Sequence, residues 1–179
     1  QSLCLPIGLN ETGFWGQEDK TYRRQGWEFM LSGGALYTNL DYSFSPGCED
    51  GTFPYGLQQP GGGSPRLRQQ LGYLLTFLHA LPLADMKPDN SAVNTLFANN
   101  PLLYMLSGEG AYGGYIVSDS GTWMEMSVPA GVYQLVCMDP VTGERQENMI
   151  HHPVEGPLRL NIMPPSEEEI AFTLKRMSI

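Results

Sequence analysis

Residues 7 to 16 read IGLNETGFWG, an apolar run that halts on a polar pair, Asn10 and Glu11, before a glycine and two aromatics. The longer run LCLPIGL at 3–9, stopping abruptly on polar residues, has the pattern of a strand buried on both faces that ends where chemistry can be done. Pro6 weighs against a fully paired central position for the first half of that strand.

A helix is expected next. After the loop GFWGQED, the stretch TYRRQGWEFMLS (21–32) puts Tyr22, Gly26, Phe29 and Met30 on one face. Asp19 or Thr21 can cap its start, and Gly33 and Gly34 can end it. A second strand follows in ALYTNLDYS (35–43), again with its polar residues at the C-terminal end. The loop SPGCEDGTFPYGLQQPGGG then leads to Ser64 and Pro65, a cap followed by proline at the first helical position. Leu67, Leu71, Leu74, Leu75, Leu78 and Leu81 recur at helical spacing beyond it, with Tyr73 and Phe77 widening the apolar face. The order strand, helix, strand, helix makes two βα units, whose parallel strands need right-handed crossovers and cover on both faces. Two such units leave a bare edge and an uncovered face, so residues 1–83 are expected to complete a larger α/β body.

The texture changes near residue 84. ADMKPDNSAVN (84–94) reads as a linker, and residues 95–179 as an all-β region. LLYMLS, YGGYIVS, TWMEMSV, YQLVCMD, RQENMIHH, LRLNIM and AFTLKRM are separated by turn signals such as DSG, PAG and DPVTG. That rhythm is the one expected of an antiparallel β-sandwich. In TWMEMSV, Trp123, Glu125 and Ser127 alternate with Met124, Met126 and Val128, so one face of this strand should be wet. The fold class expected is therefore α/β plus all-β.

Ten Lys and Arg against nineteen Asp and Glu give a formal charge of −9, with no basic cluster. No nucleic-acid partner is expected, because phosphate-backbone affinity comes from cations that displace counterions. The longest apolar stretch, Leu71 to Leu83, is interrupted by Thr76, His79 and Pro82, and no membrane span is expected. Gln1 opens the sequence without a Met or a basic-then-apolar leader, as a processed or a cut terminus would. The three cysteines, Cys4, Cys48 and Cys137, have neither CxxC spacing nor a neighbouring His. Cys4 and Cys137 sit in apolar runs and should be buried, whereas Cys48 should be exposed. No cofactor and no metal is expected. A composition low in Lys and Arg and rich in Gly, Pro, Tyr, Trp and Asn is common among secreted carbohydrate-handling proteins.

NETGF, YRRQGWEFMLSGGALYTNLDYSF, the EDG of the following loop and MKPDN together resemble the end of the (β/α)8 barrel in glycoside-hydrolase-like proteins of bacterial secreted type. PAGVYQLVCMDPVTGE resembles the C-terminal β-sandwich that follows such barrels and is labelled a collagen-binding domain. The resemblance implies that the two βα units are the seventh and eighth of a barrel. It also implies a secreted, periplasmic or cell-surface protein acting on carbohydrate, whose missing N-terminal barrel portion lies upstream or in a partner chain. In the retaining glycosidases of this barrel superfamily the nucleophilic carboxylate ends strand seven, the position that Glu11 matches. The acid/base carboxylate ends strand four, which has no counterpart in this chain. One departure is Cys48, where the pattern has a His before EDG.

Each candidate residue also has an ordinary reading. Glu11 is the catalytic candidate, or else a loop carboxylate paired with a helix end or a tyrosine. Asn10 beside it and Asn39, Asp41 and Tyr42 at the second strand's end could hydrogen-bond sugar hydroxyls, or be satisfied strand-end groups. Phe14 and Trp15 could stack on a sugar ring or anchor their loop. Glu49 and Asp50 could contact substrate or a cation, or cap a turn. His151 and His152, adjacent in a strand, point to opposite faces and cannot share a metal. His79 sits where a helix C-terminus favours it. The acidic run Glu167 to Glu169 reads as a solvated turn. A competing function is a non-catalytic module that binds carbohydrate or matrix protein through Tyr112, Tyr115 or Trp123, and a third is a sandwich that merely buttresses the barrel.

Overall fold

A computed structural model describes residues 5–54, 63–119, 122–162 and 168–177. Cys4 and Glu167 lie outside the described residues. The chain divides into two compact units, 1–75 and 76–179, the division falling within the second helix.

In the first unit β1 (Gly8–Thr12) pairs in parallel with β2 (Leu36–Asn39), and α1 (Asp19–Leu31) connects them. The strand starts later than the apolar run suggests, beyond Pro6, although Ala35 N–H still reaches the Ile7 carbonyl at 2.8 Å. Burial on both faces is not observed. Leu5 and Ile7, just before β1, are 66% and 65% exposed, and Leu36 of β2 is 50% exposed, since among the described residues this sheet has two strands.

Neither Asp19 nor Thr21 caps α1. Glu18 holds the cap position without a side-chain bond, while Asp19 is engaged by Ser64, whose hydroxyl donates to its carboxylate at 2.8 Å. The buried face is Tyr22, Arg23, Gly26, Trp27 and Leu31, rotated from the expected one so that Phe29 and Met30 are half-buried. The cause is visible at Gly26, where an added Cβ would press on Tyr37, Leu71 and Leu74 at 3.1 to 3.3 Å. The helix approaches its neighbours through this glycine, and the large side chains beside it fill the flanking space. The helix ends as expected: Gly33, at φ 93°, donates to the Met30 carbonyl, and Gly34 donates to Phe29.

The second helix, α2 (Pro65–His79), starts as its sequence dictates. Ser64 Oγ accepts from Leu67 N–H at 2.9 Å, and Pro65 occupies the first helical position. Leu67, Leu74, Phe77 and Leu78 are buried, and Leu75 is exposed. Full burial of a leucine stabilises by about 1.5–3 kcal/mol, and the cap adds about 1 kcal/mol.

The second unit is almost entirely strand. Antiparallel β3 (Lys87–Pro88), β4 (Val93–Phe97), β5 (Leu102–Gly108), β6 (Ala111–Val117), β7 (Thr122–Val128), β8 (Gly131–Met138), β9 (Arg145–His152), β10 (Gly156–Ile162) and β11 (Glu169–Arg176) form two sheets. Their orders are β10-β7-β4 and β3-β5-β6-β11-β8-β9. The stretch 84–94, read as a linker, thus contributes β3 and the start of β4. One cluster of buried side chains draws on both sheets, including Met124, Met126 and Leu160 from the smaller and Ile116, Leu135, Phe172 and Leu174 from the larger. The wet face of β7 is as expected, since Met124 and Met126 are buried and Ser127 is exposed.

Tyr112 and Tyr115 are not surface aromatics. β6 has β5 and β11 along its two edges, its residues from Ala111 to Ile116 are buried on both faces, and Gly113 and Gly114 leave no room for a Cβ against Leu81 and the Phe172 ring. Trp123 lies stacked on Phe97 at 3.9 Å, with the Arg159 guanidinium 3.9 Å from its ring centre. Glu169 is not part of a solvated turn either. It opens β11, is buried, and accepts a hydrogen bond from Tyr115 Oη at 2.9 Å. Cys137 is buried, which pushes its thiol up to about 11, and Cys48 is half-buried rather than exposed.

Candidate functional site

The candidate residues gather at the C-terminal ends of the two parallel strands. Leu9 pairs with Tyr37 and Thr12 with Asn39, so β1 takes three steps where β2 takes two. The extra residue is a β-bulge, a device that re-aims a side chain while the flanking ladder continues. Within it Glu11 adopts φ 57°, in the left-handed region that costs a non-glycine residue about 1–2 kcal/mol. Asn100 is the other described non-glycine residue at positive φ. Glu11 is exposed, and its N–H points to Thr38 Oγ1 at 3.4 Å.

The pairing closes again at once, because Leu40 N–H reaches the Thr12 carbonyl at 2.7 Å. The register therefore brings Glu11 and Asn39 to one rim. Asn39 Nδ2 donates to the Leu40 carbonyl at 3.1 Å, and its Oδ1 faces Thr12 Oγ1 at 3.1 Å. Asn10 is exposed beside them.

Phe14 and Trp15 are 51% and 72% exposed. Their loop is held by backbone rather than by the rings: Trp15 N–H donates to the Tyr22 hydroxyl at 3.0 Å, and that hydroxyl donates to the Gly16 carbonyl. Glycines at 13 and 16, with φ 131° and 93°, shape the turn. The Trp15 ring is left presented to solvent beyond the end of β1.

Asp41 turns away from the role of an open sugar contact. Ser43 N–H donates to its carboxylate at 3.0 Å, the Ser43 hydroxyl donates to it as well, and Arg68 Nη1 lies 2.7 Å from it. Burial pushes the Asp41 carboxyl up, but these bonds and the Arg68 charge outweigh it and hold the group below the usual carboxylate range. Arg68 also donates to the Gly51 carbonyl at 3.0 Å and lies 5.0 Å from the Phe44 ring centre. Glu49 accepts from Gly47 N–H at 3.1 Å, and Asp50 accepts from Thr52 N–H and hydroxyl at 3.2 and 2.7 Å. Each thus closes its own turn, and those bonds lower both carboxyls. Tyr42 is exposed on the segment after β2.

Thr12, Tyr37, Thr38 and Arg68 were not among the expected site residues. The signal for Thr12 was its place after the polar pair, one position from Glu11. Arg68 carried none, since it joins Asp41 across 27 residues. Among the described residues no group of His, Cys, Asp and Glu could hold a metal ion, and no helix is long and apolar enough to cross a membrane.

No protein-family description and no curated protein matches the sequence. Solved structures do match the fold. One described as a glycoside hydrolase aligns with 100% of this chain and 44% of its own, with a TM-score of 0.66 at 13% identity. A glycoside hydrolase family 5 structure from Bacteroides vulgatus ATCC 8482 aligns with 98% and 42%, with a TM-score of 0.61 at 12% identity. A GH30 endoxylanase from Clostridium papyrosolvens C71 aligns with 96% and 42%, with a TM-score of 0.54 at 10% identity. The chain spans less than half the length of each, and its fold is glycoside-hydrolase-like.

Proposed function

We propose that this chain is the C-terminal part of a retaining glycoside hydrolase, in which Glu11 is the nucleophile. Residues 1–83 supply the seventh and eighth βα units of a (β/α)8 barrel, and the chain beyond them an accessory β-sandwich that takes β3 and the start of β4 from 84–94. The remaining barrel strands, carrying the acid/base carboxylate, come from upstream or from a partner chain. The substrate is a polysaccharide or glycoside, met outside the cytoplasm.

The observation that carries this reading is the bulged, left-handed backbone at Glu11. A parallel strand in a barrel ends at the rim where chemistry is done. Backbone held in a sparsely populated region persists where the surrounding structure over-determines it, and such sites cluster at functional positions. Asn39 on the same rim and the exposed rings of Phe14 and Trp15 supply the hydrogen bonding and stacking that a sugar needs.

In a retaining mechanism Glu11 attacks the anomeric carbon as the leaving oxygen takes a proton from a second carboxyl about 5–5.5 Å away. Water then cleaves the glycosyl ester, activated by that second group. Glu11→Gln in the complete protein should abolish turnover across a panel of aryl glycosides while leaving the circular dichroism spectrum unchanged. Unchanged hydrolysis in that variant would remove Glu11 from the mechanism.

A further inference from the structure

Resting on the reading of Glu11 as nucleophile, we infer that Thr12 is the positioning residue that fixes the bulge and sets both Glu11 and Asn39. Thr12 is 5% exposed, and its hydroxyl has three acceptors in reach. They are the Thr38 carbonyl at 3.0 Å, Asn39 Oδ1 at 3.1 Å and Tyr37 Oη at 3.3 Å. Tyr37 directs its own proton elsewhere, to the Tyr22 carbonyl of α1 at 2.9 Å or to Gln25 Oε1 at 3.3 Å, and so faces Thr12 as an acceptor. Burial pushes the Tyr37 hydroxyl up to about 12, so it stays protonated and keeps that direction at any ordinary pH.

The consequence is a fixed polarity. One hydroxyl proton is shared among three oxygens, which holds the end of β1 against β2 and, through Tyr37, against α1. Asn39 has its Oδ1 turned to Thr12, which leaves its Nδ2 toward the Leu40 carbonyl. The bulge residue is pinned from the other side by the Thr38 hydroxyl facing Glu11 N–H. An isosteric valine at position 12 keeps the volume but removes the hydroxyl that these oxygens share, so the end of β1 loses its tie to β2 next to Glu11.

Thr12→Val and Thr12→Ser test this in the complete protein, read by the rate at which activated 2-deoxy-2-fluoro glycosides label the protein and by mass-spectrometric mapping of the label. We expect label on Glu11 in the wild type. Misplacing a reacting group by about 1 Å can cost on the order of 100-fold, so Thr12→Val should label Glu11 about 10- to 100-fold more slowly. Thr12→Ser, which restores the hydroxyl, should label within about threefold of the wild-type rate, a rescue that loss of packing would not give. Glu11 labelling at an unchanged rate in Thr12→Val, or equal slowing in both variants, would overturn the assignment of Thr12 while leaving the nucleophile in place. Label on another carboxylate, or no label together with undiminished turnover of Glu11→Gln, would overturn the nucleophile reading and the assignment with it.

Discussion

The two units spend their apolar residues differently. Residues 76–179 bury them in one cluster between strands of two sheets, with Tyr133, Ile116, Phe172 and Leu174 wholly enclosed. Residues 5–54 and 63–75 bury the helix faces around Trp27, Tyr22 and Leu67 but leave Leu36 of β2, and Leu5 and Ile7 just before β1, half or more exposed. A sheet-rich unit with internal pairing satisfies its own strands, whereas two parallel strands cannot. The difference bears on where the proposed chemistry would sit: the open strand pair ends in a left-handed residue that is itself an exposed carboxylate, whereas the other described left-handed non-glycine residue, Asn100 in the closed unit, carries an amide that donates to Asp119 at 3.5 Å.

The sharpest way to break this contrast is to cut one apolar side chain back to alanine in each unit. Phe172→Ala should destabilise residues 76–179 by about 3–5 kcal/mol, since its ring fills space against Gly114 in the sealed cluster. Leu36→Ala, at a half-exposed position, should cost well under that, about 1 kcal/mol or less. Urea denaturation followed by circular dichroism measures both. Equal losses would mean that β2 is covered after all.

Asp41 and Arg68 give a second, smaller contrast, confined to the first unit and dependent on pH. The Asp41 carboxyl is held below its ordinary value of 3.8, so the folded state prefers the charged form more than the unfolded chain does. The stability it contributes is fully present above that value and is lost as pH falls through the lower folded one. Asp41→Asn should therefore destabilise the first unit at neutral pH and flatten its loss of stability in acid below about pH 4. Acid titration of the near-ultraviolet signal of buried Trp27 would show it. An acid limb identical to that of the wild type would mean that the ion pair contributes nothing.

What the sequence revealed and what it hid follow from the range of each interaction. Ser64 and Pro65 act within one helical turn, and the cap they form is the one their order specifies. The seven later strands were readable because turn residues punctuate them, but β3 and β4 were not, since KP and VNTLF are short and lie in polar surroundings. Which face of α1 is buried was hidden because Gly26 decides it through contacts with Tyr37, Leu71 and Leu74 far along the chain. Tyr115 and Glu169 looked like surface residues, yet β6 and β11 lie side by side and make them partners. At the site, the strand end and its acid were visible in IGLNE. The left-handed turn of Glu11 was not, because it arises from a register mismatch with β2 that no local propensity records.

That turn supplies the smallest expected effect and the most discriminating one. If the backbone at Glu11 is strained only because a functional side chain must be aimed, removing the Cβ should relieve the strain. Glu11→Gly should then gain up to about 1 kcal/mol, the left-handed penalty offset in part by the greater freedom of glycine in the unfolded chain. Glu11→Ala keeps the Cβ and should gain nothing, so the two variants separate backbone strain from loss of the carboxylate. Both should lose turnover in the complete protein. Chemical denaturation of the pair measures the difference, and an alanine variant as stable as the glycine variant would show that the bulge is relaxed and that Glu11 is not held against a cost.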